Sequence, residues 1–144
     1  MRTVLTRTVL TRTVLTARAP AFPVRRHVEH VMGMPISLAL RGWHADGTPA
    51  LAAWSAVVAD LREADRVFST YRPDSVISLL CRGGLSLADC PPEVAAQVRE
   101  VLALGDAAEH DSGGAFALRR DGILDPSGVV KGWATERAAV RLAT

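Results

Sequence analysis

Between Ala50 and Phe68 the apolar residues Leu51, Trp54, Val57, Val58, Leu61, Ala64 and Val67 recur every three or four positions, with small residues in the gaps at first and charged ones from Asp60 onward. That period matches an α-helix with one apolar stripe, and a stripe of this length must be covered by other elements. The chain has 144 residues, 49% of them hydrophobic and 22% charged, enough for one domain with a core of its own. The helix therefore needs partners from the same domain.

Those partners are legible on both sides. Upstream, Val28, His30 and Met32 alternate with His27, Glu29 and Val31, and Ile36, Leu38 and Leu40 alternate with Ser37, Ala39 and Arg41. The period of two predicts two strand segments interrupted at Gly33-Met-Pro35, followed by a turn over Trp43–Pro49. Downstream, Ser69–Ser75 reads as a loop, with Asp74 or Ser75 capping a short helix over Val76–Leu80. A second capped helix is expected from Cys90-Pro-Pro-Glu93 toward His110, since proline is tolerated in a first turn. Asp111-Ser-Gly-Gly114 breaks it. Ala115–Leu118 and Gly122–Leu124 are expected as short strands joined at Arg120-Asp-Gly, and a last helix spans about Val130–Leu142.

The first sixteen residues are Met1 and three copies of Arg-Thr-Val-Leu-Thr, beginning at Arg2, Arg7 and Arg12. A period of five keeps no face apolar in either helix or strand, and the longest apolar run is too short for a secretory signal. The repeat reads as a disordered tail, with Ala19–Pro23 as linker, so residues 1–24 are set apart from a domain at 25–144. Six arginines and no acid fall in residues 1–26. The rest carries eleven basic and fifteen acidic groups, which argues against a duplex-binding surface. An Arg-rich tail for nucleic acid or membrane surfaces is the minor alternative. No apolar run approaches a membrane span, and with no signal segment the expected compartment is cytoplasmic. Cys81 and Cys90 fit neither a zinc knuckle nor a redox pair and are read as unpaired thiols.

Candidate chemistry centres on Asp125-Pro-Ser-Gly-Val-Val-Lys-Gly132. Lys131 is the only lysine beside sixteen arginines, and an ammonium is a compact point charge where a guanidinium is a broad fork. A turn that opens a helix presents N–H groups suited to phosphate. A cation in the first turn opposes the helix dipole, so an anionic ligand would give it a reason. A plain turn with the lysine in solvent is the equal alternative. His27 and His30, three apart on a strand, point to opposite faces and do not share a metal. Ser127 lacks the frame of a nucleophile elbow.

Four segments, in order, resemble the FAD:protein FMN transferase (ApbE-type) family. Val31-Met-Gly-Met34 resembles its Met-Gly-Thr strand, and Phe68-Ser-Thr-Tyr-Arg-Pro-Asp-Ser-Val-Ile-Ser78 resembles its Phe-Ser-x-Tyr…Ser-x-Ile-Ser loop. Gly114-Ala-Phe116 resembles Gly-Ala-Phe-Asp. Asp125-Pro-Ser-Gly-Val-Val-Lys-Gly-Trp-Ala-Thr-Glu-Arg-Ala138 resembles Asp-x-Gly-Gly-Ile-Ala-Lys-Gly-Tyr-Ala-x-Asp-x-Ala. The second and fourth are specific.

The resemblance implies an α+β fold, a mixed sheet with packed helices, equivalent to the N-terminal half of such a transferase domain. It implies cleavage of the FAD pyrophosphate with Mg²⁺, transfer of FMN to a threonine hydroxyl of a target flavoprotein, and release of AMP. Some members instead hydrolyse FAD. Carried over by motif, Met32 and Tyr71 would contact the flavin nucleotide, and Ala115, Phe116 and Ala117 would line its pocket through backbone. Ser127 would meet the nucleotide, and Trp133 takes the place of a tyrosine. Lys131 would be catalytic, and the backbone carbonyl of Val130 would be the one metal ligand in this part of the chain. Two departures stand out. Ala117 replaces an acid, and the family's metal-binding Asp and Thr side chains lie beyond Thr144. The chain alone is accordingly expected to be inactive; a non-catalytic flavin- or partner-binding remnant is the alternative. Longer family members are often exported or membrane-associated, which leaves the compartment open.

Overall fold

The computed structural model describes residues 24–43 and 45–143. The Arg-Thr-Val-Leu-Thr repeat, the linker to Pro23, His44 and Thr144 lie outside the described residues. Strands β1 (Val24–Val31) and β2 (Met34–Arg41) pair antiparallel from Val24↔Arg41 to Val31↔Met34. The interruption expected at residues 33–35 is a two-residue hairpin turn at Met32-Gly33, with φ of 53° and 71°. Two positive φ values make the turn whose twist suits a hairpin. Pro35 lies inside β2 opposite His30. Val31↔Met34 closes the turn as a hydrogen-bonded pair, so the next pair is of the non-bonded kind, and proline's missing donor faces the open edge. Strand alternation turns His27, Glu29 and Val31 inward, and leaves Val28 and His30 exposed.

Helix α1 (Thr48–Phe68) carries Pro49 in its first turn and buries Val57, Val58, Leu61, Ala64, Val67 and Phe68. Its amino-terminal turns are less covered. Leu51 is exposed, and Trp54 stacks on His27 with ring centroids 5.7 Å apart. Arg62 reaches across to Glu29 (2.7 Å), tying the helix to the hairpin. Helix α2 (Val76–Cys81) starts at Ser75, whose side chain accepts from the Ser78 N–H. A single 3-10 turn at Leu87–Asp89, closed by a capping box between Ser86 and Asp89, is an element the sequence reading did not contain.

Helix α3 (Pro92–Asp111) has Pro91 at its N-cap and no side-chain cap, which corrects the expected capped start at Cys90. Cys90 precedes two prolines and is extended, and its thiol contacts the Ser86 carbonyl at 3.5 Å. The strand expected at Ala115–Leu118 is also corrected. The backbone leaves α3 through Gly113 and Gly114, both at positive φ, and the Phe116 N–H donates to the Ser112 hydroxyl (3.0 Å) rather than to a neighbouring strand. Strands β3 (Arg119–Arg120) and β4 (Ile123–Leu124) follow, joined at Asp121-Gly122. Helix α4 (Ser127–Ala143) begins three residues earlier than expected.

The architecture is the expected α+β, with its sheet component present as two small antiparallel ladders beside packed helices. The core runs between α1, α3 and α4. Ala64, Ala134 and Ala138 let α1 and α4 approach, and Phe68 meets Trp133 edge-on at 5.4 Å. Arg141 to Asp60 (2.5 Å) and Arg137 to Glu100 (3.9 Å) add surface ion pairs of small weight. Among the described residues no helix is long and apolar enough to cross a membrane.

Leu118 inserts over Gly105 of α3 so closely that a Cβ on that glycine would sit 2.3 Å from the leucine side chain. Gly105→Ala should therefore lower stability by about 1–3 kcal/mol through overpacking, against the roughly 1 kcal/mol that alanine gains in helix propensity. Urea unfolding of the two chains checks this, a gain in stability being the contrary result.

Candidate functional site

Ser75 is the best-buried polar side chain among the described residues, with 0% exposure. Its hydroxyl donates to the Ser69 carbonyl (2.6 Å) and accepts from the Ser78 N–H (3.0 Å), while the Ser78 hydroxyl donates to the same carbonyl (3.3 Å). One residue thus caps α2 and cinches the loop Ser69–Ser75 closed across its base. The loop tip is then forced outward, and the Tyr71 ring stands 96% exposed. Arg72 bonds Asp74 (3.0 Å), and Arg82 donates to the Pro73 carbonyl (2.5 Å). The hydrogen bond from Arg72, then Asp74's own backbone, holds the Asp74 carboxyl below its ordinary pKa. A depressed folded pKa gives support that is present above the unfolded value and lost as pH falls through the folded one. Both groups are exposed, so that support is small.

The second half of the site is the turn into α4. The Asp125 N–H donates to the Leu118 carbonyl (2.8 Å), and its carboxylate accepts from the Ser127 N–H (3.0 Å). The buried Pro126 offers its carbonyl to the N–H groups of Val129 (3.0 Å) and Val130 (2.9 Å). Helix geometry therefore starts at Ser127, and Lys131 falls in the second turn instead of the first. Its conflict with the helix dipole is correspondingly weaker than the sequence suggested, because that field fades within one turn. Gly128 has a packing reason: a Cβ there would meet the Phe116 ring at 2.9 Å.

Between these two pieces lies an open cleft of about 370 Å³. Ala64, Asp65 and Phe68 of α1 form one wall, and Ser127, Val130 and Lys131 of α4 form another. Ser69, Thr70 and Tyr71 supply the loop side, and Met32-Gly33 at the hairpin tip closes the end. Three segments distant in sequence therefore bring together Met32, Tyr71, Ser127, Val130 and Lys131. Ala115, Phe116 and Ala117 do not line the cleft. Phe116 packs behind it on Gly128, and Ala115 is exposed. Trp133 lies behind the Phe68 wall, 7% exposed, with the Arg137 guanidinium 4.9 Å over its ring. Its indole N–H is buried with no hydrogen-bond partner among the described residues.

The sequence reading missed Asp65, Thr70 and the role of Phe68 as a wall. Phe68 and Thr70 fell inside a quoted motif and were recoverable there. Asp65 was signalled only by its place four residues after Leu61, at the margin of the apolar stripe. A shallower hollow of about 560 Å³ along α1, α3 and α4 contains Asp60, Glu100, Arg137 and Arg141, which pair with one another. In the cleft, by contrast, the Asp65 carboxylate, the Ser127 hydroxyl and the Lys131 ammonium have no side-chain partner among the described residues. Uncommitted polar groups over an apolar floor are what a ligand site offers. Among the described residues, no group of three or more His, Cys, Asp or Glu side chains is placed to hold a metal ion.

Ser75→Ala should cost about 1–3 kcal/mol, since it removes a cap and leaves the Ser69 carbonyl with only the longer bond from Ser78. It should also speed proteolysis within residues 69–75, and limited proteolysis beside thermal melting reads both effects; an unchanged cleavage rate would contradict the clamp.

No protein-family model matches the chain, and no curated protein matches it in sequence. Its fold is similar to the apo crystal structure of the flavinyl transferase ApbE from Pseudomonas stutzeri, with a TM-score of 0.63 and 20% sequence identity. The match covers 85% of this chain and 56% of that one, so the chain spans little more than half that structure's length. At this identity the likeness is one of fold: an ApbE-like α+β architecture.

Proposed function

We propose that this chain carries the flavin-nucleotide cleft of an FAD:protein FMN transferase-type protein. The observation that supports the reading most is the convergence of Met32, Tyr71, Ser127, Val130 and Lys131 on one cleft from three separate sequence motifs. Those residues suit the pieces of FAD. The exposed Tyr71 ring offers a face on which a planar isoalloxazine stacks. Phe68, Ala64 and Val130 give the apolar part of the cleft's walls. Lys131 and the Ser127 hydroxyl would hold the pyrophosphate, where positioning and charge neutralisation carry most of phosphoryl transfer.

In that reaction the hydroxyl oxygen of a threonine on the target flavoprotein attacks the phosphorus on the flavin side. The bond from that phosphorus to the bridging oxygen breaks, AMP leaves carrying that oxygen, and the threonine hydroxyl gives up its proton to solvent. The chain's own part is to bind and orient FAD for this attack. Mg²⁺, which the family resemblance implies, is not fitted by the residues described. The Val130 carbonyl lies within α4, where it serves as an intrahelical acceptor, and the cleft holds a single carboxylate. Near-octahedral oxygen coordination needs more donors than these. In this reading the remaining ligands come from outside the described residues.

The expected result with FAD, Mg²⁺ and a threonine-bearing acceptor is saturable FAD binding without AMP release. Lys131→Ala should weaken FAD about tenfold, roughly 1.4 kcal/mol, by equilibrium dialysis. Robust AMP release would refute the inactivity of this chain, and absence of FAD binding would refute the flavin reading.

A further inference from the structure

The two facing walls of the cleft carry opposite charge. Lys131 stands on the α4 wall, one turn into a helix whose amino end opens at Ser127. Asp65 stands on the α1 wall, in the last turn of a helix that ends at Phe68. The carbonyl ends of that turn carry partial negative charge, so a carboxylate there is electrostatically unfavourable. The arginines around it do not relieve it. Arg66 is committed to Glu63, Arg62 to Glu29 and Arg72 to Asp74. Asp65 itself is half-buried, and its carboxylate has neither a hydrogen bond nor an ion pair among the described residues.

A free carboxylate also repels the phosphates that the opposite wall would attract. It is therefore disfavoured twice, by its own helix and by an anionic ligand, unless the ligand brings hydrogen-bond donors to it. A carboxylate accepts charge-assisted hydrogen bonds from hydroxyl groups, and an acid that holds sugar hydroxyls while a helix start holds phosphate is a recurrent division of labour in dinucleotide sites. Neither an anion alone nor a neutral apolar ligand satisfies both walls.

We propose that Asp65 is the specificity-determining residue of this cleft. Its carboxylate receives the hydroxyl groups of the ligand's sugar or ribityl chain, and this fixes the ligand's direction, with phosphates toward Lys131 and Ser127. The ligand class is thereby a phosphate ester of a polyol, not inorganic phosphate or pyrophosphate. The assignment rests on the flavin-nucleotide reading and adds to it the polarity of binding.

The test uses the full 144-residue chain, Asp65→Asn and Asp65→Ala, with isothermal titration of FAD, FMN, ADP and inorganic pyrophosphate and a thermal melt of each protein. Asp65→Asn should weaken FAD about tenfold, tighten pyrophosphate severalfold, and leave the melting temperature equal or higher. A loss concentrated on FMN places the ribityl hydroxyls at Asp65, and one concentrated on ADP places the ribose there. FAD and pyrophosphate affinities both within about twofold of wild type in the Asn variant would overturn the assignment. So would a uniform loss for all four ligands together with a lower melting temperature in both variants, which marks a structural role. Absence of FAD binding by the unaltered chain would instead remove the flavin reading, and the Asp65 assignment with it.

Discussion

The packing of α1 against α4 sets the distance between the two motif-bearing segments of this chain. Small residues at Ala64, Ala134 and Ala138 bring the helices together, and the edge-on contact of Phe68 with Trp133 locks their axial register. Phe68 belongs to both sides of this contact's consequences. One part of its ring environment is Trp133 in the core, and another is the cleft. A change in helix register would therefore move Lys131 and Ser127 relative to the loop that follows Phe68.

That loop and the turn at Asp125 share a second economy of construction. In each, one short polar side chain fixes a backbone segment from within: Ser75 closes residues 69–75, and Asp125 organises the start of α4. Neither side chain faces a ligand in its observed role. They hold the frame, and the groups left uncommitted stand on it. The unpartnered Trp133 indole shows the contrary case, an isolated donor costing about 1–3 kcal/mol that the burial of its large ring offsets.

The helices were legible in the sequence because a 3.6-residue period survives over seventeen positions, as it does from Leu51 to Val67. The Ser75 cap was legible for a local reason, a short acceptor side chain ahead of an apolar run. Elements decided by one side-chain-to-backbone bond were not. Residues 115–118 are a short apolar run after a glycine break, yet the Ser112 hydroxyl captures the Phe116 N–H and no ladder forms there. The start of α4 was misjudged for the same kind of reason, because the Pro126 carbonyl and the Asp125 carboxylate engage N–H groups ahead of any apolar periodicity. The cleft is a tertiary product. Met32, Tyr71, Ser127, Val130 and Lys131 were nameable from motifs, but period and spacing gave no hint that they would line one cleft. Asp65 escaped notice because a carboxylate beside an apolar stripe looks like any solvated helix face.

Met32 occupies the left-handed backbone region at a hairpin tip, where glycine or asparagine would be the easier residue. The turn itself thus carries its side chain to the end of the cleft. A two-stranded ribbon twists more strongly than the same strands within a wider sheet. Met32 sits at the tip of such a ribbon, so its place at the end of the cleft is tied to the ribbon's twist. A strand laid beside β1 or β2 would reduce that twist and, through Met32, alter the width of the cleft at its hairpin end.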